Sequence, residues 1–359
     1  MDATKIKQLS FFQARSPPSR PIADSTHELK SISFIIARIE LASGVTGDGY
    51  LLSFHYSPHA IVGALQDIRP LVIGRPVYET GQLTQDFDRE AEYFGNNGLQ
   101  RWALSVVNLA MWDAWGKSVD YPIWKLLGTH NDKVPLYGSG GWLSYSIEEL
   151  IEEVTSYVQR GFRAVKIKIG SPEIEIDLER LAKVREQIGP HVKIMMDANQ
   201  GLNFPAAVTL ARRAARYHIH WFEEPLPNTD FAGYESLRQQ AGIALAMGER
   251  EYNLVALREL IGRNAIDLWQ PDIVRLGGVE AWRDSASLAN AYNIPVLPHY
   301  YKEYDVPLLA TISNGYGCES FDWVDGLIDN PIRFEDGYAY PHESPGWGFS
   351  FLDQFLTEI

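Results

Sequence analysis

The chain has 359 residues, 45% hydrophobic and 22% charged, enough to bury one large domain plus a smaller one, or two ordinary domains. A formal net charge of −14 argues against a non-specific surface for nucleic acid or anionic membrane. A single cysteine, Cys318, excludes an intramolecular disulfide framework, and no uninterrupted run of about 18 apolar residues marks a transmembrane helix.

The opening residues, MDATKIKQLSFFQ, read as a mixed strand and lack the apolar run of a signal peptide, so a cytoplasmic location is expected. Ile6 to Ala14 and Ile32 to Leu41 have strand composition, the second strongly β-branched. SGVTGDG (43–49) reads as Gly-rich punctuation before a further strand at Tyr50 to Phe54. Helical patterns follow at 59–71 and, long and apolar, at 99–118. PIWKLLG (122–128) then predicts a short helix stopped by Gly128. These elements predict an N-terminal α+β domain over residues 1–130.

From residue 131 to 324 the pattern becomes an alternation. Short apolar runs stand at 134–138, 164–169, 193–197, 219–223, 244–249, 266–271, 294–298 and 317–322, separated by amphipathic stretches such as 147–161 and 174–189. Strand alternating with helix at this rhythm predicts a parallel sheet. Eight strands with no Gly-x-Gly-x-x-Gly turn after the first favour a closed (β/α)-barrel over an open Rossmann sheet. Residues 325–359, rich in Gly, Pro and aromatics, are expected to leave the barrel and return to the first domain.

A barrel places catalytic groups at the C-terminal ends of its strands. Those ends carry Lys166 and Lys168, Asp197 and Asn199, Glu223, Glu249, Asp272, His299 and Glu319. A solvated loop explains one or two such groups, but here every strand from the second to the eighth ends in one. Asp197, Glu223 and Glu249 lie 26 residues apart in turn, about one strand–helix unit each. On neighbouring parallel strands about 4.8 Å apart they can converge on one ion. An all-carboxylate set suits a hard cation that keeps water and substrate ligands, namely Mg²⁺. Glu224 is expected to face away from Glu223.

Lys166 and Lys168 alternate with apolar residues in AVKIKIG and so project from one face of their strand. Two adjacent cations beside a metal should depress each other, which suits a lysine to act as a base near neutral pH. Asp272 and His299 end the sixth and seventh strands, and a carboxylate on one imidazole nitrogen fixes the tautomer of the other. Glu319, if protonated, is expected to donate a hydrogen bond to an enolate oxygen.

With these motifs in hand, the chain resembles the enolase superfamily, and within it the mandelate racemase subgroup. The motifs are GFRAVKIKIG (161–170), MDANQ (196–200), WFEEPL (221–226), MGER (247–250), QPDIVRLGG (270–278), PHYYKE (298–303) and ESFDW (319–323). The resemblance implies a modified TIM-like barrel of β7α type under a capping domain. It also implies Mg²⁺ on Asp197, Glu223 and Glu249, with Lys168 as base and Lys166 beside the substrate carboxylate. A His299–Asp272 dyad would face Lys168, Glu319 would lie next to the enolate, and Asn199 would touch substrate.

In this family specificity is set by two loops of the cap, here 21–30 and 53–59, with His27 and Tyr56 as the expected contacts. The first loop offers Asp24, Ser25, Thr26, His27 and Glu28, which suits a polyhydroxylated chain better than a phenyl ring. The cap and the SGGWLS run (139–144) look most like the talarate/galactarate dehydratases. The expected substrate is therefore a small sugar acid, dehydrated to a 2-keto-3-deoxy acid. The alternative is a racemase or epimerase of a 2-hydroxy acid. A homo-oligomer, dimer or octamer, goes with the resemblance. A degenerate, inactive binding protein would be expected to have lost a ligand or a base, and none is missing.

Overall fold

The computed structural model describes residues 2–16, 20–54, 58–93 and 95–359. The chain opens with strands β1 (Ile6–Arg15), β2 (Ile22–Ala23), β3 (Glu28–Leu29), β4 (Ser33–Leu41) and β5 (Thr46–Leu52). Helices α1 (Pro58–Val72), α2 (Thr80–Ala91), α3 (Leu99–Ser118) and α4 (Ile123–Leu126) follow. β1, β4 and β5 form an antiparallel sheet, with Leu9 opposite Ile39 and Ile36 opposite Tyr50. The β-branched run of β4 is buried almost throughout, as expected of a central strand covered on both faces.

Of the glycines read as turn punctuation, Gly44 sits in the turn with φ 87°, but Gly47 and Gly49 belong to β5, and helix α3 is the reason. A Cβ at Gly49 would lie 2.1 Å from the Val106 carbonyl oxygen, and one at Gly47 would lie 2.3 Å from the Ala114 amide nitrogen. Strand and helix backbones touch there, and only glycine permits it. Gly49→Ala is expected to destabilise the protein by about 3 kcal/mol, the upper range for overpacking, read as a lower urea midpoint. An unchanged midpoint would contradict this close approach.

α3 is buried on every side from Ala103 to Ala114 because it is clasped between the cap sheet and the barrel. On the barrel side Ser105 Oγ donates to the Val274 carbonyl at 2.5 Å, and Asn108 and Trp112 donate to Glu280 at 2.7 and 3.1 Å. α2 was not legible in the sequence: it buries only Thr80, Leu83, Phe87 and Ala91, a stripe too narrow to stand out in a polar segment.

Eight strand positions and eight helices follow, beginning with β6 (Val134–Gly140), α5 (Ile147–Gln159), β7 (Ala164–Lys168), α6 (Ile174–Ile188), β8 (Lys193–Asp197) and α7 (Phe204–Ala214). Then come β9 (Ile219–Glu223), α8 (Phe231–Ala241), β10 (Leu245–Met247), α9 (Leu254–Gly262) and β11 (Leu268–Trp269). α10 (Ile273–Leu276) and α11 (Val279–Ala291) lead to a seventh strand position at Val296, followed by α12 (Lys302–Leu309) and β12 (Cys318–Ser320). β6 to β11 run parallel in sequence order. Val296 bridges Trp269 to Gly315, and β12 pairs with β6, which closes the ring. The fold is thus the expected α/β barrel under an α+β cap.

The sixth and seventh strands are shorter than the apolar runs promised. Pro271, Pro295 and Pro298 interrupt them, and proline offers no amide to a ladder. Isolated bonds persist, from Leu297 N–H to the Trp269 carbonyl and from His299 N–H to that of Pro271, at 2.9 and 3.0 Å.

The last strand has no helix after it. A hairpin of β13 (Arg333–Glu335) and β14 (Tyr338–Tyr340) returns beneath the barrel and pairs antiparallel with β6. The chain then climbs back to the cap, where β15 (Thr357–Glu358) joins the free edge of β1. Asp113 of α3 anchors this return. It accepts from the amides of Asp48 and Trp347, both at 2.9 Å, and from Lys117 Nζ at 2.6 Å.

Inside the barrel, Tyr137, Met195, Trp221, Ala246, Leu268 and Leu297 form one apolar layer contributed by six strand positions. Two residues further along four of these strands stand Ser139, Asp197, Glu223 and Gln270. The period-2 alternation of a strand thus carries the interior from an apolar plug to a polar floor in one step.

Candidate active site

Lys168, Asp197 and Glu223 are in register across β7, β8 and β9, and Glu249 stands two residues beyond β10. Asp197, Glu223 and Glu249 each place a carboxylate oxygen within 4.8 Å of the other two, and all three are buried. Supporting donors hold them. Asn199 N–H donates to Asp197 at 2.9 Å, while Gln270 Nε2 and Trp221 Nε1 donate to Glu223 at 2.7 and 3.2 Å. Arg250 Nε lies 3.3 Å from Glu249.

Six buried carboxylates (Asp197, Glu223, Glu224, Glu249, Asp272 and Glu319) gather here with four cations, Lys166, Lys168, Arg250 and Arg275. The convergence of three of these carboxylates within 4.8 Å of one another suits one divalent cation. An all-oxygen donor set that leaves positions for water and substrate fits Mg²⁺. Burial pushes the Glu223 carboxyl up to about 7 against the pull of Lys166. Burial also raises Glu249, but His299, Arg250, Arg275 and Lys168 together outweigh it and hold that carboxyl low. Glu224 lies outside the trio, as expected. Its oxygens meet Gln200 Nε2 at 2.9 Å and Arg250 Nε at 3.1 Å.

The lysines sit at two depths. Lys168 faces the cavity above the carboxylates, with Nζ 2.5 Å from Asp197 Oδ2 and 5.4 Å from the centre of the Trp142 ring. Lys166 is sealed beneath, 2.6 Å from both Glu223 Oε1 and Glu319 Oε1. Lys166 depresses Lys168, as expected of two neighbouring cations, but other charges set the balance. Burial lowers Lys168 most, yet Asp197 at contact distance, with Glu249 and Glu223, outweighs burial and Lys166 together, so the ammonium is held above its ordinary value. A divalent cation on Asp197 would offset that pull.

His299 Nδ1 lies 2.8 Å from Asp272 Oδ2, while Asp272 Oδ1 accepts from the amides of Val274 and Arg275, both at 2.9 Å. Asp272 therefore caps α10 with one oxygen and orients the imidazole with the other. With Nδ1–H donating to Asp272, Nε2 is the nitrogen left for proton transfer, 3.5 Å from Glu249 Oε2. Burial opposes the imidazolium, but Glu249 and Asp272 prevail and raise His299.

Glu319 departs from expectation. Ser139 Oγ and Lys166 Nζ each reach Oε1 at 2.6 Å, and Tyr300 N–H donates to Oε2 at 3.0 Å. Burial raises this carboxyl, yet Lys166, His299 and Lys168 bring it below its ordinary range. It is an ionised acceptor here, not the neutral donor anticipated from sequence.

Asn199 has left-handed backbone, φ 42°, and its side-chain oxygen is buried at the cavity with no protein partner. His27 also lines the cavity, whereas Tyr56 lies outside the described residues. The first cap loop presents fewer polar groups than expected. Ser25 Oγ donates to the Ala198 carbonyl at 2.5 Å, and Asp24 Oδ1 accepts from the amides of Thr26 and His27 at 2.7 Å. Glu28 is exposed. Ser25 and Thr26 dock onto the barrel turn after β8, while Asp24 and His27 line the cavity.

The cavity between cap and barrel measures about 350 Å³. Arg250 and Arg275 line it and were not singled out in sequence, although each follows a strand end within a motif already noted. Arg275 reaches the Glu249 carbonyl at 2.5 Å and packs over Trp102 of α3, 5.7 Å from its ring centre, so one guanidinium joins cap to floor. Trp142, Phe321 and Trp323 supply an aromatic wall that was equally unforeseen.

Fold and site together define a capped barrel enzyme built around a divalent-cation site. Residues 8–128 match the model of the mandelate racemase / muconate lactonizing enzyme N-terminal domain, and residues 149–355 that of the enolase C-terminal domain-like family. The chain belongs to the enolase superfamily, in its mandelate racemase/muconate lactonizing enzyme branch. It is 28% identical to the 3,6-anhydro-alpha-L-galactonate cycloisomerase of Streptomyces coelicolor over 93% of each chain. It is 27% identical to the L-talarate/galactarate dehydratase of Salmonella typhimurium over 98% of this chain and 90% of that one. A crystal structure of a racemase from Streptomyces coelicolor with bound magnesium superimposes with TM-score 0.94 at 27% identity, covering 98% of this chain and all of the other.

Proposed function

We propose that this protein is a Mg²⁺-dependent acid-sugar dehydratase that removes the proton alpha to a carboxylate, with substrates of the class that includes galactarate and talarate. The observation that carries the reading is that Lys168 and His299, from the second and seventh strands, open onto one cavity that Glu249 of the carboxylate trio also lines, with Asp197 against the Lys168 ammonium. The named relatives that dehydrate or cycloisomerise sugar acids support it.

Asp197, Glu223 and Glu249 would hold Mg²⁺, which when bound would supply positive charge to the substrate carboxylate. Lys166 adds charge from beneath the floor. Lys168 Nζ or His299 Nε2 takes the C2 proton, according to the configuration of that carbon, and the opposing residue protonates the departing 3-hydroxyl. Asp272 keeps the imidazole in the competent tautomer. Asn199 and Glu319 hold the substrate, and His27 touches it from the cap. If the opposing residue returned a proton to C2 instead, the same groups would racemise a 2-hydroxy acid.

A panel of mono- and diacid sugars in D₂O with Mg²⁺ tests the proposal. Formation of a 2-keto acid marks dehydration, whereas deuterium at C2 with inverted rotation marks racemisation. Neither outcome across the panel would end the proposal. His27→Ala is expected to raise KM about five- to tenfold and leave C2 exchange on a small 2-hydroxy acid near wild type, because it removes binding and not proton chemistry. Unchanged kinetics on the best sugar acid would remove His27 from the pocket.

A further inference from the structure

The walls of the cavity differ in kind. Asn199, Glu249, Arg250, Asp272 and His299 line one part of it. The part beyond Lys168 is aromatic, built by Trp142 after the first strand, by Tyr300, Phe321 and Trp323 near the last two, and by Phe54 of the cap. These rings brace one another around Trp323. Phe321 lies 4.5 Å away with planes 30° apart, Tyr300 5.6 Å at 40°, Trp142 6.0 Å at 21°, and Phe54 meets it edge-on at 6.1 Å. Such a braced set is preorganised, so a ligand that stacks on it loses little to side-chain ordering.

We infer that the acid sugar carries a ring, a glycosyl or anhydro ring, whose C–H face stacks on Trp142, Phe321 and Trp323 while its acid end lies at the carboxylate floor. The inference rests on the dehydratase reading above, keeps its chemistry, and replaces the open-chain diacid named there with a ring-bearing acid. An open-chain polyol bears hydroxyls on every carbon, and laying them against aromatic faces strips their water without supplying partners, about 1–3 kcal/mol for each unpaired group. A sugar ring keeps its hydroxyls at the edge and presents apolar C–H on a face.

The cations also argue against a second carboxylate on the aromatic side. Among the described lining residues, Arg250 and Arg275 are both engaged with Glu249, and Lys168, 5.4 Å from the Trp142 ring, is engaged with Asp197. A cavity of about 350 Å³ stands at the lower end of the range of small-molecule sites, about 300–1,000 Å³.

The test uses His299→Asn protein loaded with Mg²⁺, so that bound acids persist, titrated with cellobionate (a glucosyl gluconate), gluconate, galactarate and mandelate. Binding is followed by calorimetry and tryptophan fluorescence. Cellobionate is expected to bind about tenfold more tightly than gluconate or galactarate. Adding Trp323→Leu or Phe321→Leu, both partly exposed positions, should shrink that ratio to within about threefold, with circular dichroism confirming the fold. Gluconate or galactarate binding as tightly as cellobionate would overturn the inference, and so would a ratio that survives both substitutions. Mandelate as the tightest ligand would overturn it too, by assigning the wall to an aryl acid. Wild-type enzyme incubated with cellobionate separates the two proposals. Tight binding with neither C2 exchange nor 2-keto acid would refute the dehydratase reading and leave the stacking wall standing.

Discussion

Asp197→Asn and Glu249→Gln are expected to fold yet to lose about 10³-fold or more in kcat, since a cation that neutralises developing charge contributes several kcal/mol to the barrier. Each change removes one carboxylate from the trio that would hold the cation. Each also strips a partner from a buried cation, Lys168 in one case and Arg250 in the other, so some stability is lost in metal-free buffer. The decisive measurement is therefore the increment that magnesium adds. At about a hundredfold excess over its dissociation constant, Mg²⁺ should stabilise the wild type by about 2.7 kcal/mol, and the variants should lose most of that gain. EDTA should abolish wild-type turnover and added Mg²⁺ restore it. Full activity in EDTA would refute the metal assignment.

The second large effect concerns the two proton-transfer groups. Lys168→Ala should stop exchange at C2 for one configuration and His299→Asn for the other, because each group stands on a different strand and serves one face of the carbon. Elimination needs both, one as base and one as acid, so either change should lower dehydration by about 10²–10⁴-fold. Each variant should still exchange deuterium into the substrate whose proton faces the surviving group. Asp272→Asn should resemble His299→Asn in D₂O, since an amide favours the wrong imidazole tautomer. It should leave α10 capped, because an asparagine oxygen can still accept from the Val274 and Arg275 amides. Wild-type dehydration by Lys168→Ala would show the bases to be wrongly assigned even with the fold correct.

What was legible in the sequence followed from strand periodicity. Lys166 after Ala164, Asp197 after Met195 and Glu223 after Trp221 each set a polar side chain two residues beyond an apolar one, and in a barrel that step leads from core to site. Asp197, Glu223 and Glu249 were visible for this reason, and the structure gathers them. Gln270, Arg250 and Arg275 were not, because a strand-end glutamine or arginine looks like any solvated residue until its partner across the barrel is known. The aromatic wall was hidden in the same way: Trp142 and Trp323 are 181 residues apart and meet only when the first and last strands close the ring. The ionised state of Glu319 depended on Ser139 and the Tyr300 amide, neither of which periodicity could associate with it. Gly47 and Gly49 misled because the same residue that opens a turn also lets a helix lie against a strand.

The pairing of β15 with β1 has a consequence for how the molecule is made. Partners such as Phe12 and Glu358 are 346 residues apart, so the edge of the cap sheet stays open until β15 has left the ribosome. The barrel, whose strands pair mostly with their successors, has no such wait. The cap sheet is then completed after the barrel strands, latched by β15. A nascent chain stalled before Trp347 would hold a nearly finished barrel beneath a roof lacking its anchor at Asp113.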